Sequence, residues 1–271
     1  MDDIRQNEKK HDRIAEIYNA KHKEIYNEYE QKRLVSTISE LLDFSYNKTD
    51  ISVLDFGSGT GNLALKFLDY SCKVTACDVS FKSLRILKKH SGNSRDLVTM
   101  QIKGTQLPFQ DNSFDIVVTY SVLHHIPDYL LAVKEMIRVC KPGGLIYIDH
   151  EANKNRWNPS DELSRWYKVS DQTKFEHLFK LIKTGELFTF SFFKTAFNKL
   201  FIDPRYEREG DIHVWPDDHI EWQKIHEVFK IENCIRIKEV DYLMYKPKGA
   251  ADFNSFKDVC NDTKYVIYRK Q

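Results

Sequence analysis

The segment Val53-Leu54-Asp55-Phe56-Gly57-Ser58-Gly59-Thr60-Gly61 constrains the fold more than any other part of the chain. A short apolar, β-branched run ends in glycines at alternate positions, and Leu63, Leu65, Phe67 and Leu68 then begin a helical stretch. A strand that turns sharply into a helix over such a loop aims the helix's first amides at a ligand, and the glycines let the backbone approach it closely. The alternation continues downstream. A second strand over Lys73–Cys77 ends in Asp78, and Ser80 is placed to cap a helix from Phe81 to Lys89. A third strand covers about Leu97–Ile102, and a fourth, Phe114–Tyr120, leads to a helix over Asp128–Val139. Lys141-Pro142-Gly143-Gly144 then turns into a fifth strand, Leu145–Asp149. Strands and helices in this rhythm predict right-handed βαβ units around a parallel sheet. The apolar runs VVTY and LIYI suit strands buried on both faces.

The flanks differ. Residues from about Asp12 to Ser45 read as helical, with Leu34, Ile38, Leu41 and Leu42 on one face and Tyr18, Tyr26 and Tyr29 as an aromatic stripe. That stripe either packs on a core or closes as a lid over a bound small molecule. From Ala152 to Pro216 no strand pattern is visible, and the stretch is too long for a simple connection. Two strand-like segments, Cys234–Tyr245 and Lys264–Arg269, close the chain as an expected antiparallel pair at the sheet edge. The expected organisation is a helical lid over residues 1–48, a ligand-binding core over 49–151, a helical and aromatic cap over 152–216, and a closing helix and strand pair over 217–271.

Charge is nearly balanced at a formal +1, which gives no global electrostatic reason to bind nucleic acid. Five scattered cysteines, Cys72, Cys77, Cys140, Cys234 and Cys260, form no C-x-x-C pair and read as reduced thiols. The charged start MDDIRQNEKKHDR lacks the apolar stretch of a signal peptide, and no run approaches the ~20 apolar residues that span a bilayer. A cytoplasmic location without an integral membrane segment is the expectation.

The glycine spacing separates two ligand classes. A dinucleotide loop is G-x-G-x-x-G around a pyrophosphate. Here the spacing is G-x-G-x-G with Asp55 two residues upstream, an acid that sits badly beside a pyrophosphate but suits an ammonium group. Asp78, seventeen residues past Gly61, ends the second strand where a carboxylate can accept from both hydroxyls of a ribose. With these residues in place, the stretch from about Ile51 to Glu151 resembles the core of the class I S-adenosylmethionine-dependent methyltransferases. VLDFGSGTG, CDVS, LPFQDNSFDIVVTYSVLHHI and RVCKPGGLIYID follow that family's order and spacing.

The resemblance implies an α/β, doubly wound, mostly parallel seven-stranded sheet with an antiparallel C-terminal strand, here with a cap inserted after the fifth strand. It also implies that Asp55, Phe56, Gly57, Ser58 and Gly59 surround the amino-acid part of the cofactor S-adenosylmethionine. Asp78 would take the ribose and Val79 would pack on the adenine, with Tyr120 at the end of the fourth strand. One departure stands out. Many relatives carry an acid after the third strand, whereas this chain reads Ile102-Lys103-Gly104-Thr105-Gln106, so Gly104 or Thr105 would have to serve the adenine.

Ligands of open α/β sheets bind at the carboxyl ends of the strands. Tyr120-Ser121 with His124-His125, and Asp149-His150-Glu151, should converge there. Methyl transfer depends chiefly on alignment, and a hydroxyl acceptor must also lose a proton, for which histidine is suited. His150 and Glu151 are the first candidates for a base or an acceptor-binding pair, His124 and His125 the second. His213, Trp215 and His219 read as a polar wall of the acceptor pocket, and no metal is expected, because their spacing is not diagnostic. Trp157, Trp166, Tyr167, Phe188, Phe190, Phe192 and Phe193 either shape an apolar pocket or serve the ordinary packing of a helical cap, and packing is the favoured reading.

The sequence thus points to methylation, at oxygen, of a small-molecule acceptor such as a glycan or other polar metabolite. The alternatives are a quinone-like lipid reached through peripheral contact of the amphipathic stretch Glu186–Phe201 with a membrane, and a catalytically silent Rossmann-like binding module. A nicotinamide-dependent oxidoreductase is disfavoured by the glycine spacing. DNA amino-methylation is disfavoured because Tyr120-Ser121-Val122-Leu123 stands where D/N-P-P-Y/W would be.

Overall fold

The runs singled out as strands pair in one sheet. The structure, a computed structural model, describes residues 11–12, 15–16, 18–171 and 211–271, together with positions 176, 182, 189, 193, 197 and 199–201. The core strands are β1 (Ser52–Phe56), β2 (Lys73–Asp78), β3 (Leu97–Gln101), β4 (Phe114–Tyr120) and β5 (Cys140–Ala152). A two-residue hairpin follows, β6 (Val214–Trp215) with β7 (Asp218–His219), and then β8 (Cys234–Tyr242) and β9 (Thr263–Lys270). Among the described residues the main sheet has seven strands in the order β3-β2-β1-β4-β5-β9-β8. β1 to β5 pair in parallel, and β9 runs antiparallel to both of its neighbours. The reversed last strand wedged between β5 and β8 is the one the family resemblance implied.

One boundary differs from expectation. Cys140 already pairs with Phe114 and Leu145 with Ile116, so Lys141–Gly144 bulges within β5 rather than turning into it. The N-terminal helical stretch is also not continuous. Helix α1 (Tyr18–Lys21) is followed by a turn, and α2 (Glu28–Phe44) starts afresh because the Asn27 side chain accepts from the Glu30 amide at 2.9 Å. This is an N-cap, which takes up one of the amides a helix start leaves unpaired.

Downstream lie α3 (Ala64–Asp69), α4 (Phe81–His90), α5 (Tyr129–Val139), α6 (Asp161–Ser170), α7 (Trp222–Ile231) and α8 (Phe253–Phe256). Ser80, Asp128 and Ser160 cap α4, α5 and α6 through their side-chain oxygens. The alternation of strand side chains then builds two cores. On one face Leu54, Val117, Ile146 and Ile148 pack against Val133 and Met136 of α5 and Ile225 and Phe229 of α7. On the other, Val53, Ile116, Val118 and Tyr147 meet Leu34, Ile38 and Leu41 of α2 with Phe67 and Leu87 of α3 and α4. Each such buried side chain contributes about 1.5–3 kcal/mol. All five cysteines are free and buried, as expected of packed thiols.

The described cap aromatics divide between packing and a cavity wall. Trp166 is fully buried in a separate small core with Leu163 and Phe253, because α6 packs back on the C-terminal segment. The Tyr167 hydroxyl donates to Asp262 at 3.1 Å, and Phe193 is exposed. Trp157 lines a cavity. Phe188, Phe190 and Phe192 lie outside the described residues.

Candidate active site

β1, β2 and β4 end side by side at the point where the strand order reverses, and a cavity opens over their carboxyl ends. Asp55, Phe56, Gly57, Ser58, Gly59, Asp78, Val79, Gly104, Thr105 and Tyr120, the whole expected cofactor set, line it. The glycine loop shows why its residues differ. Gly57, at φ +75°, lies so close to the Val122 side chain that a β-carbon would collide with it. Gly59, at φ +52°, has open space where its β-carbon would be. The first glycine is needed for packing; the second leaves room for a ligand.

The two acids are held differently. Asp55 is buried and accepts from the Ala64 amide at 3.0 Å. Burial, reinforced by the field of Asp78, pushes its carboxyl from 3.8 to about 7. Asp78 accepts from the Gly59 amide at 2.8 Å on one oxygen and from the Ser80 amide at 2.7 Å on the other. Burial raises it as well, against the opposing pull of the His11 ring and those two amides. Two desolvated acids with raised pKa values favour a cationic ligand, since an opposite charge stabilises their ionised forms. The Ser58 hydroxyl is buried with no hydrogen-bond partner among the described residues. A cradle left open at Gly59, two acids short of positive charge and an unsatisfied hydroxyl fit the ammonium and sulfonium charges and the ribose hydroxyls of S-adenosylmethionine. They do not fit a pyrophosphate.

Residues of the N-terminal segment also line this cavity, a contribution only half visible in sequence. Tyr18, Ile25, Tyr26 and His11 line it. Thr60 of the glycine loop donates to the Asn19 side-chain oxygen at 2.8 Å, and the Tyr26 hydroxyl lies 3.3 Å from Thr60. Tyr29, grouped with Tyr18 and Tyr26 in sequence, turns away and packs edge-on against Phe253.

A second cavity adjoins the first and shares His11, Tyr18, Ile25, Ser121 and His125 with it. The candidates His124, His125, His150 and Glu151 all reach it, and so do His22, Glu24, Arg156, Trp157 and His213. Their states diverge. Glu151 is fully engaged: one oxygen accepts from the Val122 and Leu123 amides at 2.9 and 2.8 Å, and the other meets His124 Nδ1 at 2.8 Å. Burial opposes a charge on His124, but Glu151 outweighs it and raises the imidazole above its ordinary value. His150 is the opposite case. It stacks on Tyr120 with 4.8 Å between ring centroids, its Nδ1 lies 3.3 Å from the Ser121 hydroxyl, and its Nε2 has no partner among the described residues. Burial lowers its pKa below the ordinary histidine value, which favours the neutral imidazole.

Sequence reasoning missed the network beneath these groups. Arg33 of α2 donates to Glu30 and to Asp149 at 2.7 Å, and its guanidinium lies 4.1 Å from the Tyr242 ring centroid. Asp149 also accepts from Tyr242 at 2.9 Å and from Tyr147, while the Tyr120 hydroxyl donates to Glu30 at 2.8 Å. Asp149 is therefore consumed in tying α2 to the sheet. Arg33 and Glu30, three apart on a helix, resemble an ordinary surface pair. The available signal was that position 30 lies on the apolar face of Leu34, Ile38 and Leu41.

His213 belongs to the wall of the second cavity, whereas His219 is not among the residues that line it. His213 Nδ1 meets Asp218 at 2.5 Å and its Nε2 faces the Ile126 carbonyl at 3.0 Å, while His219 lies against Trp157 with 5.3 Å between ring centroids.

With this geometry in view, the comparisons with known proteins are specific. Residues 54–148 match the family model described as "Methyltransferase domain". That stretch of the chain is therefore similar to a methyltransferase domain. S-adenosylmethionine is the cofactor of such domains, in agreement with the first cavity. A demethylmenaquinone methyltransferase of Staphylococcus aureus is 32% identical over 141 residues, 51% of this chain and 54% of that protein. The chain thus spans about half the length of the curated relatives it matches. Among solved structures, a chain of the Haloferax volcanii complex containing the Trm112 methyltransferase activator aligns with TM-score 0.58 at 15% identity, covering 96% of this chain and 97% of that one. A SAM-dependent methyltransferase of Methanosarcina mazei aligns with TM-score 0.51 at 16% identity over 83% and 94% of the two chains. At these identities the likeness establishes the shared fold alone.

Proposed function

We propose that the protein transfers a methyl group from S-adenosylmethionine to an oxygen of a polar small molecule held in the second cavity. The observation that carries this reading is the polar, histidine-lined cavity that opens directly beside the cofactor cavity and shares His11, Tyr18, Ile25, Ser121 and His125 with it. The cofactor, when bound, supplies a methyl group activated by its positive sulfur. Asp55 and Ser58 would hold its amino-acid end, Asp78 its ribose, and Val79, Gly104 and Thr105 its base. Tyr120 supports His150 by stacking, and the lid tyrosines exclude water.

The acceptor hydroxyl must lose its proton as the oxygen–carbon bond forms, and His150 Nε2 is the group to receive it. His150 is neutral at working pH and its Nε2 is uncommitted among the described residues. Glu151 and His124 act one step back: the carboxylate holds the loop after β4, and the loop carries both histidines.

The test is kinetic. Calorimetry with S-adenosylmethionine and with NAD should show binding of the first alone; preference for NAD would overturn the reading. In an acceptor screen read by cofactor turnover, His150→Gln should lower kcat by about 10²–10⁴-fold with cofactor affinity unchanged. The wild-type rate should fall on the acid side with an apparent pKa below about 6.5, the ordinary histidine value, and that limb should vanish in the variant. Full activity of His150→Gln would remove it from the reaction.

A second reading, a quinone-like lipid acceptor, has one observation in its favour. Phe193, Phe197, Leu200 and Phe201 are exposed close together in sequence, as on a surface that rests on a bilayer, and the Staphylococcus relative is named for a quinone substrate. No helix among the described residues is long and apolar enough to cross a membrane. Co-sedimentation with anionic vesicles, lost on Phe197→Ser with Phe201→Ser, would favour this acceptor over a polar one.

A further inference from the structure

The loop after β4 places two adjacent histidines, His124 and His125, in a short 3-10 turn at the wall of the second cavity. Asp211 reaches them from far along the chain. The Ile212 and His213 amides both donate to the His124 carbonyl, at 2.9 and 3.1 Å, and the His213 ring is anchored on the Ile126 carbonyl. These bonds fix the segment so that the Asp211 carboxylate lies 3.1 Å from His125 Nδ1. His124, His125 and Asp211 can each present one ligand atom, all within 4.8 Å of one another. Metal bonds of about 2.0–2.2 Å in tetrahedral geometry put ligand atoms roughly 3.4 Å apart, so the trio closes on an ion with small side-chain rotations.

A second observation separates this cluster from a surface ion pair. Glu151, almost wholly buried, grips His124 Nδ1 and is itself pinned by two backbone amides. A carboxylate on one ring nitrogen fixes the tautomer and leaves the lone pair on the other, and it makes that nitrogen a better donor. Carboxylate, then imidazole, then ion is the order in which metal-binding histidines are held. Two imidazoles and one carboxylate form a donor set suited to a first-row divalent cation, and three protein ligands leave a coordination position open.

We infer that His124, His125 and Asp211 form a binding site for a divalent first-row transition cation of the zinc class, with Glu151 as its orienting carboxylate. This differs from the sequence expectation of no metal, which considered His213, Trp215 and His219; the chain folds a different trio together. The site lies in the wall of the second cavity, so its open position can take an oxygen of the acceptor, preferably one of two neighbouring oxygens as in a diol or hydroxy acid. That last role rests on the reading of this cavity as the acceptor pocket; the metal site itself does not.

The test uses the untagged full chain, stripped with a chelator and titrated with Co²⁺ alone, with Zn²⁺ as competitor. The expected result is one equivalent of cobalt bound, with the visible absorption of a four- or five-coordinate ion that zinc abolishes. His125→Gln and Asp211→Asn should each weaken binding at least about tenfold, while His219→Gln, which lies against Trp157 outside the trio, should not. Absence of stoichiometric cobalt binding would overturn the inference, and so would binding that neither His125→Gln nor Asp211→Asn weakens. Neither cofactor nor acceptor enters these titrations, so their failure leaves the methyl-transfer reading standing, and failure of that reading leaves them interpretable.

Discussion

Asp55 shows what a single residue can contribute at the cost of stability. Its carboxyl is carried from 3.8 to about 7 by burial. Well below pH 3.8 it is protonated in both folded and unfolded chains and has no net effect. Between about 4 and 7 the unfolded chain ionises first, so stability falls as pH rises, and above 7 the cost is fully expressed. Asp55→Asn retains the side-chain oxygen that accepts the Ala64 amide but cannot ionise. The ligand-free variant should therefore melt above the wild type at pH 8 and close to it at pH 4. Affinity for S-adenosylmethionine should move the other way, falling by about 10–100-fold, as expected for loss of one charge-assisted contact of 1.5–3 kcal/mol. A bound cation also pulls the Asp55 pKa back down, so binding at pH 6.5 should release a proton, visible as a calorimetric heat that depends on the buffer. Equal proton release from the Asn variant would sink this account. The loop and both acids were legible in sequence because the motif itself encodes them. The uneven states of His150 and Glu151 were not, since they depend on which backbone amides a buried carboxylate happens to meet.

At the scale of elements, the βαβ frame was readable almost residue by residue, since period and punctuation are local properties. β4 falls on Phe114–Tyr120 as expected. The failures lie where long-range contacts override local pattern. Lys141–Gly144 was read as a turn, yet Cys140 is captured by Phe114 and draws the bulge into the strand. The seating of α2 was invisible because it depends on Arg33 meeting Asp149, a residue 116 positions away. That contact has a measurable consequence. Arg33→Met would leave Glu30 and Asp149 buried without their cation, and breaking one side of a buried ion pair costs about 3–5 kcal/mol. Urea denaturation should show a loss of that size, partly restored by adding Glu30→Gln. A loss below about 1 kcal/mol would mean the network is not structural. Tyr120 hangs from the same Glu30 and stacks on His150, so the variant should also disturb the acid limb of the rate profile.

Across the whole molecule, the N-terminal segment joins stability to function. Its described residues His11, Tyr18, Ile25 and Tyr26 line the cofactor cavity, and neighbouring ones are pinned on both sides of the site. At the far side, Asp12 accepts from the Ser80 hydroxyl at 2.5 Å and from the Lys82 amide at 3.2 Å, and Glu16 pairs with Lys82 at 3.0 Å. At the near side, Asn19 and Tyr26 engage Thr60. A ligand enclosed this way leaves only when one set of pins releases, so the pins govern the rate of escape more than the rate of encounter. Asp12→Ala combined with Asn19→Ala removes one pin from each side and touches neither Asp55 nor Asp78 directly. Release of S-adenosylmethionine should become about tenfold faster, which corresponds to roughly 1.4 kcal/mol of lost closure, while association changes little. Amide exchange over residues 18–27 should rise in the same variant, and addition of cofactor should slow it less than in the wild type. Unchanged release and unchanged exchange would make the segment a fixed wall of the cavity rather than a lid.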